Sequence, residues 1–523
     1  MARSALKAVP SANSPDPGSN SKKNFFHKLL DWVEKNGNKL PDVLTLFVII
    51  TAVILLGSFI AGVAGWSAVN PANNEKITAV NLLNEEGIIR MLSELVSNFV
   101  NFPPLGLVLV VMLGVGLAES TGLISAFMRR VVLASPKALI LPIIIFIGIV
   151  GNAAADAALI VLPPVAAMVF LTLGRHPIAG LAAAYAAVAG GFSANIIISM
   201  LDVMLAGFTE SAAHLQDKTY TANPAMNYYF MLASTFVLLP VAVWVTTKIV
   251  EPRLGEYQVP DDLEVKKQAL TSEERRGLKW ATISLFIYTI IILLVTVPKG
   301  AMLRNAKTGE LIESPFMDSL VPIMLLFFFI PAMAYGFGSK VLKNDKDVAE
   351  HLTKAMSGMG YYIVLAFIAA QMIAYFSWSN LGSIIAITGA DFLKESGFTG
   401  LPLLIAFILF TALVNLLIAS SSAKWAILGP VFVPMFMALD YSPAFTQMAY
   451  RIGDSITNTI TPMLAYFAIL LTFAKKFDKS MGMGTLISSL LPYTIAYTIF
   501  WCLLFTVWYV LGLPLGPGEY IKM

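Results

Sequence analysis

One broken apolar pattern occurs twice in this chain of 523 residues. Asn152, Leu162-Pro163-Pro164-Val165, Pro177 and Gly190-x₄-Asn195 are answered by Asn415, Leu428-Gly429-Pro430-Val431, Pro443 and Gly453-x₄-Asn458. Both Asn pairs lie 263 residues apart and the Pro164/Pro430 and Pro177/Pro443 pairs 266, so three residues are gained in one arm and lost in the next. Each copy is an apolar stretch interrupted by Pro, Gly, Asn and Ser. In a hydrophobic chain this predicts a secondary transporter built from two repeats, with broken helices meeting near the membrane midplane.

The composition supports a membrane setting. Hydrophobic residues make up 57% of the chain and charged residues 13%, against about 25% charged in a soluble domain. The windows Val43–Ala64, 105–127, 229–250, 281–297 and 488–511 approach the roughly 20 apolar residues of a spanning helix, which makes this an all-α polytopic membrane protein. The first forty residues are polar and lack a signal-peptide pattern. A single cysteine, Cys502, excludes a disulfide or Cys-ligated metal within one chain. No Walker loop, dinucleotide fingerprint or zinc spacing occurs, so an ATP-driven pump would need another subunit. Net charge is only +3 and gives no nucleic-acid signal.

Where the charges fall sets the expected topology. Twenty-five of the 35 Lys and Arg group on one side: seven before Pro41, then Arg129, Arg130, Lys137 and Arg175, seven from Lys248 to Lys279, four from Lys340 to Lys354, and Lys475, Lys476 and Lys479. The positive-inside rule places these in the cytoplasm together with the N-terminus. Eight more belong outside, and Lys424 and Arg451 lie within apolar sequence. The alternation is consistent with 139–173 and 401–439 entering and leaving on one side, with tips at Gly151–Asp156 and Asn415–Lys424. Two short ordinary spans in each place would give the same charge balance, but pieces such as 139–150 are short for a crossing. The expected architecture is nine spans plus two re-entrant hairpins in an inverted repeat. The segments are a cytoplasmic N-terminal stretch 1–41, scaffold spans 42–130, a first hairpin with broken span 131–206, scaffold 229–390 with a linker at 251–280, a second hairpin with broken span 401–474, and a last span 485–512. An amphipathic helix is expected around 88–99, and Thr271 to Glu274 reads as a capping box.

Each hairpin is followed by a span expected to unwind, at 189–195 and at 451–462. Unwound backbone offers carbonyls to a cation and N–H groups to an anion. Oxygen ligands suit Na⁺ or a proton-exchanged water. Asn152 with Asn195, and Asn415 with Asn458, are therefore candidate Na⁺ ligands, while ordinary interhelical hydrogen bonding is the alternative. Asp202 is either hydrated near its span end or an ion site. Asp156 is either a coupling residue or an N-cap. Arg451 and Asp454 share a helix face and either neutralise each other or present a cationic fork to an anionic substrate. Trp425 either stacks on a substrate ring or anchors at the interface, the mid-hairpin position arguing against the anchor. Ser420, Ser421 and Ser422 join the tip. Pro177 and Pro443 are hinges or first-turn prolines.

With these residues in place, the chain resembles the p-aminobenzoyl-glutamate transporter family, in particular its antimetabolite (sulfonamide) exporter branch. The matching words include GRHPIAG at 174–180, GGFSANI at 190–196, KIVEPRLG at 248–255, FSWSN at 376–380, IASSSAKWAILGPVFVPMFM at 418–437, YRIGDSITNTITPM at 450–463 and GLPLGPG at 512–518. The likeness runs in one register from about Trp32 to the C-terminus. It implies a homodimer in the bacterial inner membrane, each protomer with its own substrate path. It also implies that Asp202, Asn415, Trp425, Pro443, Arg451 and Asp454 line that path. Lys424 departs from the family pattern, which has an uncharged residue before the Trp.

These observations together give an ion-coupled transporter of aromatic carboxylates related to folate breakdown, or an exporter of sulfonamides. No cofactor beyond a coupling Na⁺ or H⁺ is expected. The alternatives are a Na⁺-coupled dicarboxylate transporter, which would not need Trp425, and an intramembrane amidohydrolase. A channel fits two inverted broken hairpins less well. The four His lie at or outside span ends and no Ser/His pair is apparent, which disfavours the hydrolase.

Overall fold

The computed structural model describes residues 43–69, 76–154, 157–257, 269–311, 314–462 and 464–523. The expectations for segment 1–41, for the middle of the 251–280 linker and for Asp156 fall outside the described residues. Two turns of mostly apolar sequence leave a helix no way to bury its backbone except along its own axis, so nearly everything described is helical. Scaffold helices come first: α1 (Val43–Ala64), α2 (Glu85–Val100), α3 (Pro103–Ser120) and α4 (Leu123–Leu133). A two-stranded ribbon, β1 (Ser67–Val69) and β2 (Lys76–Thr78), pairs antiparallel with Ser67 opposite Thr78. The amphipathic helix expected near 88–99 is α2, started by Asn84, whose side chain accepts from the Gly87 N–H at 2.7 Å.

The first hairpin comprises α5 (Ile140–Gly151) and α6 (Ala157–Thr172), with α4 meeting it through a 120° bend. The first broken span is α7 (Pro177–Tyr185), a π-turn at Ala186–Gly190, non-helical backbone, and α8 (Met200–Ala213). The middle of the chain supplies α9 (Tyr228–Leu254), α10 (Ser272–Thr296), α11 (Leu320–Gly338), the amphipathic α12 (Asp345–Ser357), α13 (Gly360–Trp378) and α14 (Leu381–Glu395). The second hairpin is α15 (Gly400–Asn415) with α16 (Ser421–Met437). Its broken span is α17 (Pro443–Ile456) with α18 (Ala465–Phe477), and α19 (Met483–Leu511) closes the bundle. Among the described residues this gives seven helices long and apolar enough to cross a membrane, two broken spans and two hairpins, as expected. The capping box is also formed, with Thr271 and Glu274 exchanging hydrogen bonds at 3.1 and 2.9 Å.

Pro163 and Pro164 sit inside α6, and Pro430 and Pro434 inside α16, so these prolines mark no break. The second hairpin unwinds at its tip, 416–420, as expected, where side chains can satisfy released backbone groups. One local expectation needs correction: the second broken span does not unwind at Arg451. Helix α17 runs on through Arg451, Gly453 and Asp454 to Ile456, and the described residues beyond it are non-helical over 457–462. Pro177 and Pro443 are first-turn prolines behind the N-caps His176 and Ser442.

In lipid, helices gain little from apolar contact as such, and close backbone approach is what holds them. Gly453 is such a point, because a Cβ there would lie 2.3 Å from the Ile408 carbonyl of α15. Its repeat mate Gly190 abuts Thr459 and Tyr497 at 2.7 Å, across into the second half. The arms of each hairpin pack more on the broken spans than on one another. In particular, α16 lies along α8 of the first repeat, and α6 touches α18 of the second. This exchange of arms between halves is the packing signature of the inverted repeat. Around it, α1 and α10 turn side chains such as Val53, Ile60, Phe286 and Leu294 outward.

The C-terminal tail clasps the start of α17. Ser442 donates to the carbonyls of Ile521 and Tyr520, and Tyr229 N–H reaches Leu515. Within the tail Glu519 accepts from Tyr220 Oη at 3.1 Å, with His214 bound to the Tyr220 carbonyl and Glu210 to the Ala222 N–H. Burial raises the Glu519 carboxyl to about 7, partly opposed by the Tyr220 hydrogen bond. A carboxyl raised in the folded state adds stability below its unfolded value near 4.3 and loses it as pH climbs through about 7. Melting curves should therefore show up to about 3 kcal/mol of stability declining between about pH 4.3 and 7, with Glu519→Gln flattening that slope. An unchanged slope in Glu519→Gln would assign the dependence to other groups.

Candidate functional site

The chemistry-bearing residues converge where α17 passes between α15, α16 and α8. Along α17, Gln447, Tyr450, Arg451 and Asp454 recur at helical spacing, and all are buried. Four fixed charges meet there, and they pair across the molecule. Arg451 Nη2 lies 2.6 Å from Asp202 Oδ1 on α8, and Lys424 Nζ of α16 lies 2.7 Å from Asp454 Oδ1. Side-chain exposures are 2% or less for all four. Taking four charges out of water costs several kcal/mol each, and only close opposite charges make the cluster tolerable.

The alternative in which Arg451 and Asp454 form their own pair is thereby corrected. The two do not neutralise each other; each is held by a residue from elsewhere, with Asp202 from the first repeat and Lys424 from the hairpin. Asp202 is neither hydrated nor near an open span end. It stands in the first turn of α8, where its Oδ2 accepts from the Ser199 N–H and Ser199 Oγ, both at 2.6 Å. One oxygen thus starts a half-helix and the other meets the guanidinium. Arg451 Nε and Asp454 Oδ2 are buried without a hydrogen-bond partner among the described residues.

Trp425 is fully buried, so the interface-anchor alternative is excluded. Its ring lies 4.4 Å from that of Tyr450, tilted by 30°, and its Nε1 donates to Thr209 Oγ1 at 2.9 Å. Thr209 also accepts from Gln447 Nε2 at 2.7 Å, and Gln447 Oε1 accepts from Asn227 at 2.7 Å. Tyr450 donates to the Ser421 carbonyl at 2.5 Å. The tip serines act mainly on the backbone: Ser420 caps α16 through the Ala423 N–H, with Ser422 3.5 Å away, and Ser421 approaches Tyr450.

The four Asn divide unequally. Asn415 Nδ2 donates to Asn458 Oδ1 at 2.8 Å and to Thr457 at 2.9 Å, while its Oδ1 accepts from Lys424. The second tip is therefore tied to the second break, as the repeat suggested. In the first half Asn152 reaches the Gly191 carbonyl at 3.3 Å, not Asn195. Asn195 turns its Oδ1 back to the N–H groups of Ile196 and Ile197 at 2.8 and 3.1 Å. Sequence reasoning missed Thr209, Gln447, Tyr450 and Asn227. Gln447 and Tyr450 were open to discovery as part of the stripe Gln447, Tyr450, Arg451, Asp454 at helical spacing; Thr209 and Asn227 carry no local signal.

The AbgT transporter family model matches residues 28–523. The chain belongs to that family of membrane transporters. It is 37% identical over 496 residues to the p-aminobenzoyl-glutamate transport protein of Escherichia coli, covering 95% of this chain and 97% of that one. The YdaH transporter of Alcanivorax borkumensis superposes with a TM-score of 0.88 at 40% identity, over 91% of this chain and all of that one. MtrF of Neisseria gonorrhoeae, from a class of antimetabolite efflux pumps, does so at 0.88 and 43%, over 94% of this chain and all of the other. The family resemblance and the all-α polytopic fold read from the sequence are thus shown.

The crossed pairs make a sharp energetic expectation. Removing one member, as in Asp202→Asn or Lys424→Gln, should cost about 3–5 kcal/mol by leaving a buried charge. Double-mutant cycles in detergent should give coupling of about 1 kcal/mol or more for Arg451 with Asp202 and for Lys424 with Asp454. A larger coupling between Arg451 and Asp454 than within either crossed pair would contradict the arrangement.

Proposed function

We propose that this protein is an ion-coupled secondary transporter of p-aminobenzoyl-glutamate-like aromatic carboxylates, and that sulfonamide antimetabolites, which share the aromatic amine, use the same path for export. The observation that supports it most is a buried guanidinium on the same helix as a buried aromatic pair: Arg451 follows Tyr450 along α17, and Tyr450 lies against Trp425. An aromatic acid needs both a cation for its carboxylate and a flat apolar surface for its ring. In the conformation described, Asp202 holds the guanidinium and Tyr450 covers the indole. Substrate binding exchanges those partners: its carboxylate replaces Asp202 on Arg451, and its ring takes a face of Trp425.

Such an exchange gives alternating access a physical basis. Asp202 and Arg451 belong to opposite repeats, and so a ligand that separates them loosens one half from the other. The released Asp202 is then free to take up a coupling cation or proton, with Asn152, Asn195 and Asn458 near the two breaks as further polar groups for it. The charge distribution adds a cytoplasmic N-terminus in a bacterial inner membrane, and the family likeness supports a homodimer. A carrier, unlike an amidohydrolase, needs no nucleophile at this cluster. Membership in a transporter family favours it.

Uptake of labelled p-aminobenzoyl-glutamate into proteoliposomes, with Na⁺ and pH gradients imposed separately, tests this reading. Gradient-dependent accumulation is expected, and its absence with both gradients and in both directions would reject it. Trp425→Ala should weaken binding by about 1–2 kcal/mol, while Trp425→Phe keeps most of the affinity. Arg451→Lys should fold but bind poorly, because an ammonium cannot supply the fork of a guanidinium. Unaltered affinity in well-folded Arg451→Lys would remove the carboxylate clamp.

A further inference from the structure

A cleft of about 290 Å³ opens between the scaffold and the first hairpin. Phe127 of α4, Leu278 and Leu285 of α10 and Phe327 of α11 line it, and it reaches Gly151 and Ala153 at the hairpin-one tip. Nearly all of its surface is apolar. A second space of about 350 Å³ continues it, since Phe127, Leu278 and Thr282 line both. Arg130, Arg275 and Lys279 stand around this second space. The groove is therefore apolar along its length and strongly basic at its mouth.

The mouth lies on the face that the charge distribution assigns to the cytoplasm. Other charges there are already engaged: Arg129 pairs with Glu274, Ser272 donates to Glu273, and Arg276 donates to the Gly338 carbonyl at 2.7 Å. Arg130, Arg275 and Lys279 are exposed and have no carboxylate partner among the described residues. Three like charges gathered at one mouth repel one another, and an anion placed among them relieves that repulsion. From Arg275 to Leu285 helix α10 advances ten residues, roughly 15 Å at the helical rise. That is about half of a hydrocarbon core ~30 Å thick, the depth of one leaflet.

We propose that this groove binds an anionic phospholipid, with its phosphate among Arg130, Arg275 and Lys279 and an acyl chain laid along α10 toward the hairpin-one tip. The basic recess supplies what an anionic headgroup recognises. The apolar cleft supplies what a chain gains from and a free anion does not. A lipid so placed touches α4, α10, α11 and hairpin one together, and so links the scaffold to the hairpin. The proposal needs neither the substrate assignment nor the coupling ion.

Delipidated full-length protein in detergent is titrated with dioleoylphosphatidylglycerol or dioleoylphosphatidylcholine, and lipid retained per protomer is counted by native mass spectrometry. Preferential retention of one phosphatidylglycerol per protomer is expected; equal retention of the two lipids overturns the proposal. Arg130→Gln/Arg275→Gln/Lys279→Gln should weaken retention on the order of a hundredfold, three cations at roughly fivefold each. The same neutralisation of Lys343, Lys346 and Lys354, exposed around α12, should leave retention unchanged. A loss under about tenfold in the first variant, or equal losses in both, overturns the site. Thr282→Trp fills the junction of the two spaces while keeping the cations, and should also release the lipid. Full retention by folded Thr282→Trp overturns the placement of the chain; if a dimer also becomes monomeric, the groove belongs to a second copy instead. Glycerophosphoglycerol, the headgroup without chains, should not displace the lipid at equal concentration. Displacement would mark a phosphate site alone and would overturn the lipid assignment.

Discussion

Two buried ion pairs that cross between chain segments hold the transport core together. Arg451 and Asp202 come from broken spans of opposite repeats, and Lys424 and Asp454 from a hairpin and the span that follows it. None of the four could sit alone in an apolar bundle. A lone charge at a helix centre costs about 2.5–3.5 kcal/mol on insertion scales, and an unpaired one in a packed protein more. The Arg451–Asp202 pair makes each half of the molecule the condition for burying the other half's charge. The rest of the core serves that junction: Gly453 brings α17 onto α15, Gly190 lets the first π-turn reach Thr459 and Tyr497, and Thr209 gathers Trp425 and Gln447 on one hydroxyl.

Such a junction is suited to switching. Buried pairs contribute little net stability relative to apolar packing, yet are costly to break one partner at a time. A ligand that brings its own carboxylate changes that balance, because it offers Arg451 a replacement partner at the moment Asp202 leaves. Lys424 and Asp454 tie hairpin two to α17.

Much of the fold was legible in the sequence. The repeat, the hairpins, the amphipathic helix at Glu85–Val100 and the capping box at Thr271 all appear where spacing put them, since each is governed by local periodicity or by residues within one turn. The hairpin prolines mark no break, because a helix in a packed bundle tolerates Pro163, Pro164, Pro430 and Pro434 when neighbours take over the freed carbonyls. For the site, sequence singled out Asp202, Trp425, Arg451 and Asp454, but the one partner it could offer Arg451 within the protein was its neighbour at three residues. Local spacing offered that partner and could not show one 249 residues away. The same limit hid Thr209 and Asn227, whose importance lies only in what tertiary packing places beside them.

The account turns on Asp202 and the substrate competing for one guanidinium. Affinity for labelled p-aminobenzoyl-glutamate in Asp202→Asn protein, retained as folded by size exclusion, measures that competition directly. With the competitor neutral, binding should tighten by about tenfold, equivalent to about 1.4 kcal/mol, while transport slows because the repeats no longer re-engage. Unchanged or weaker binding by folded Asp202→Asn would show that Asp202 supports the guanidinium for the substrate instead of yielding to it, and would contradict the exchange.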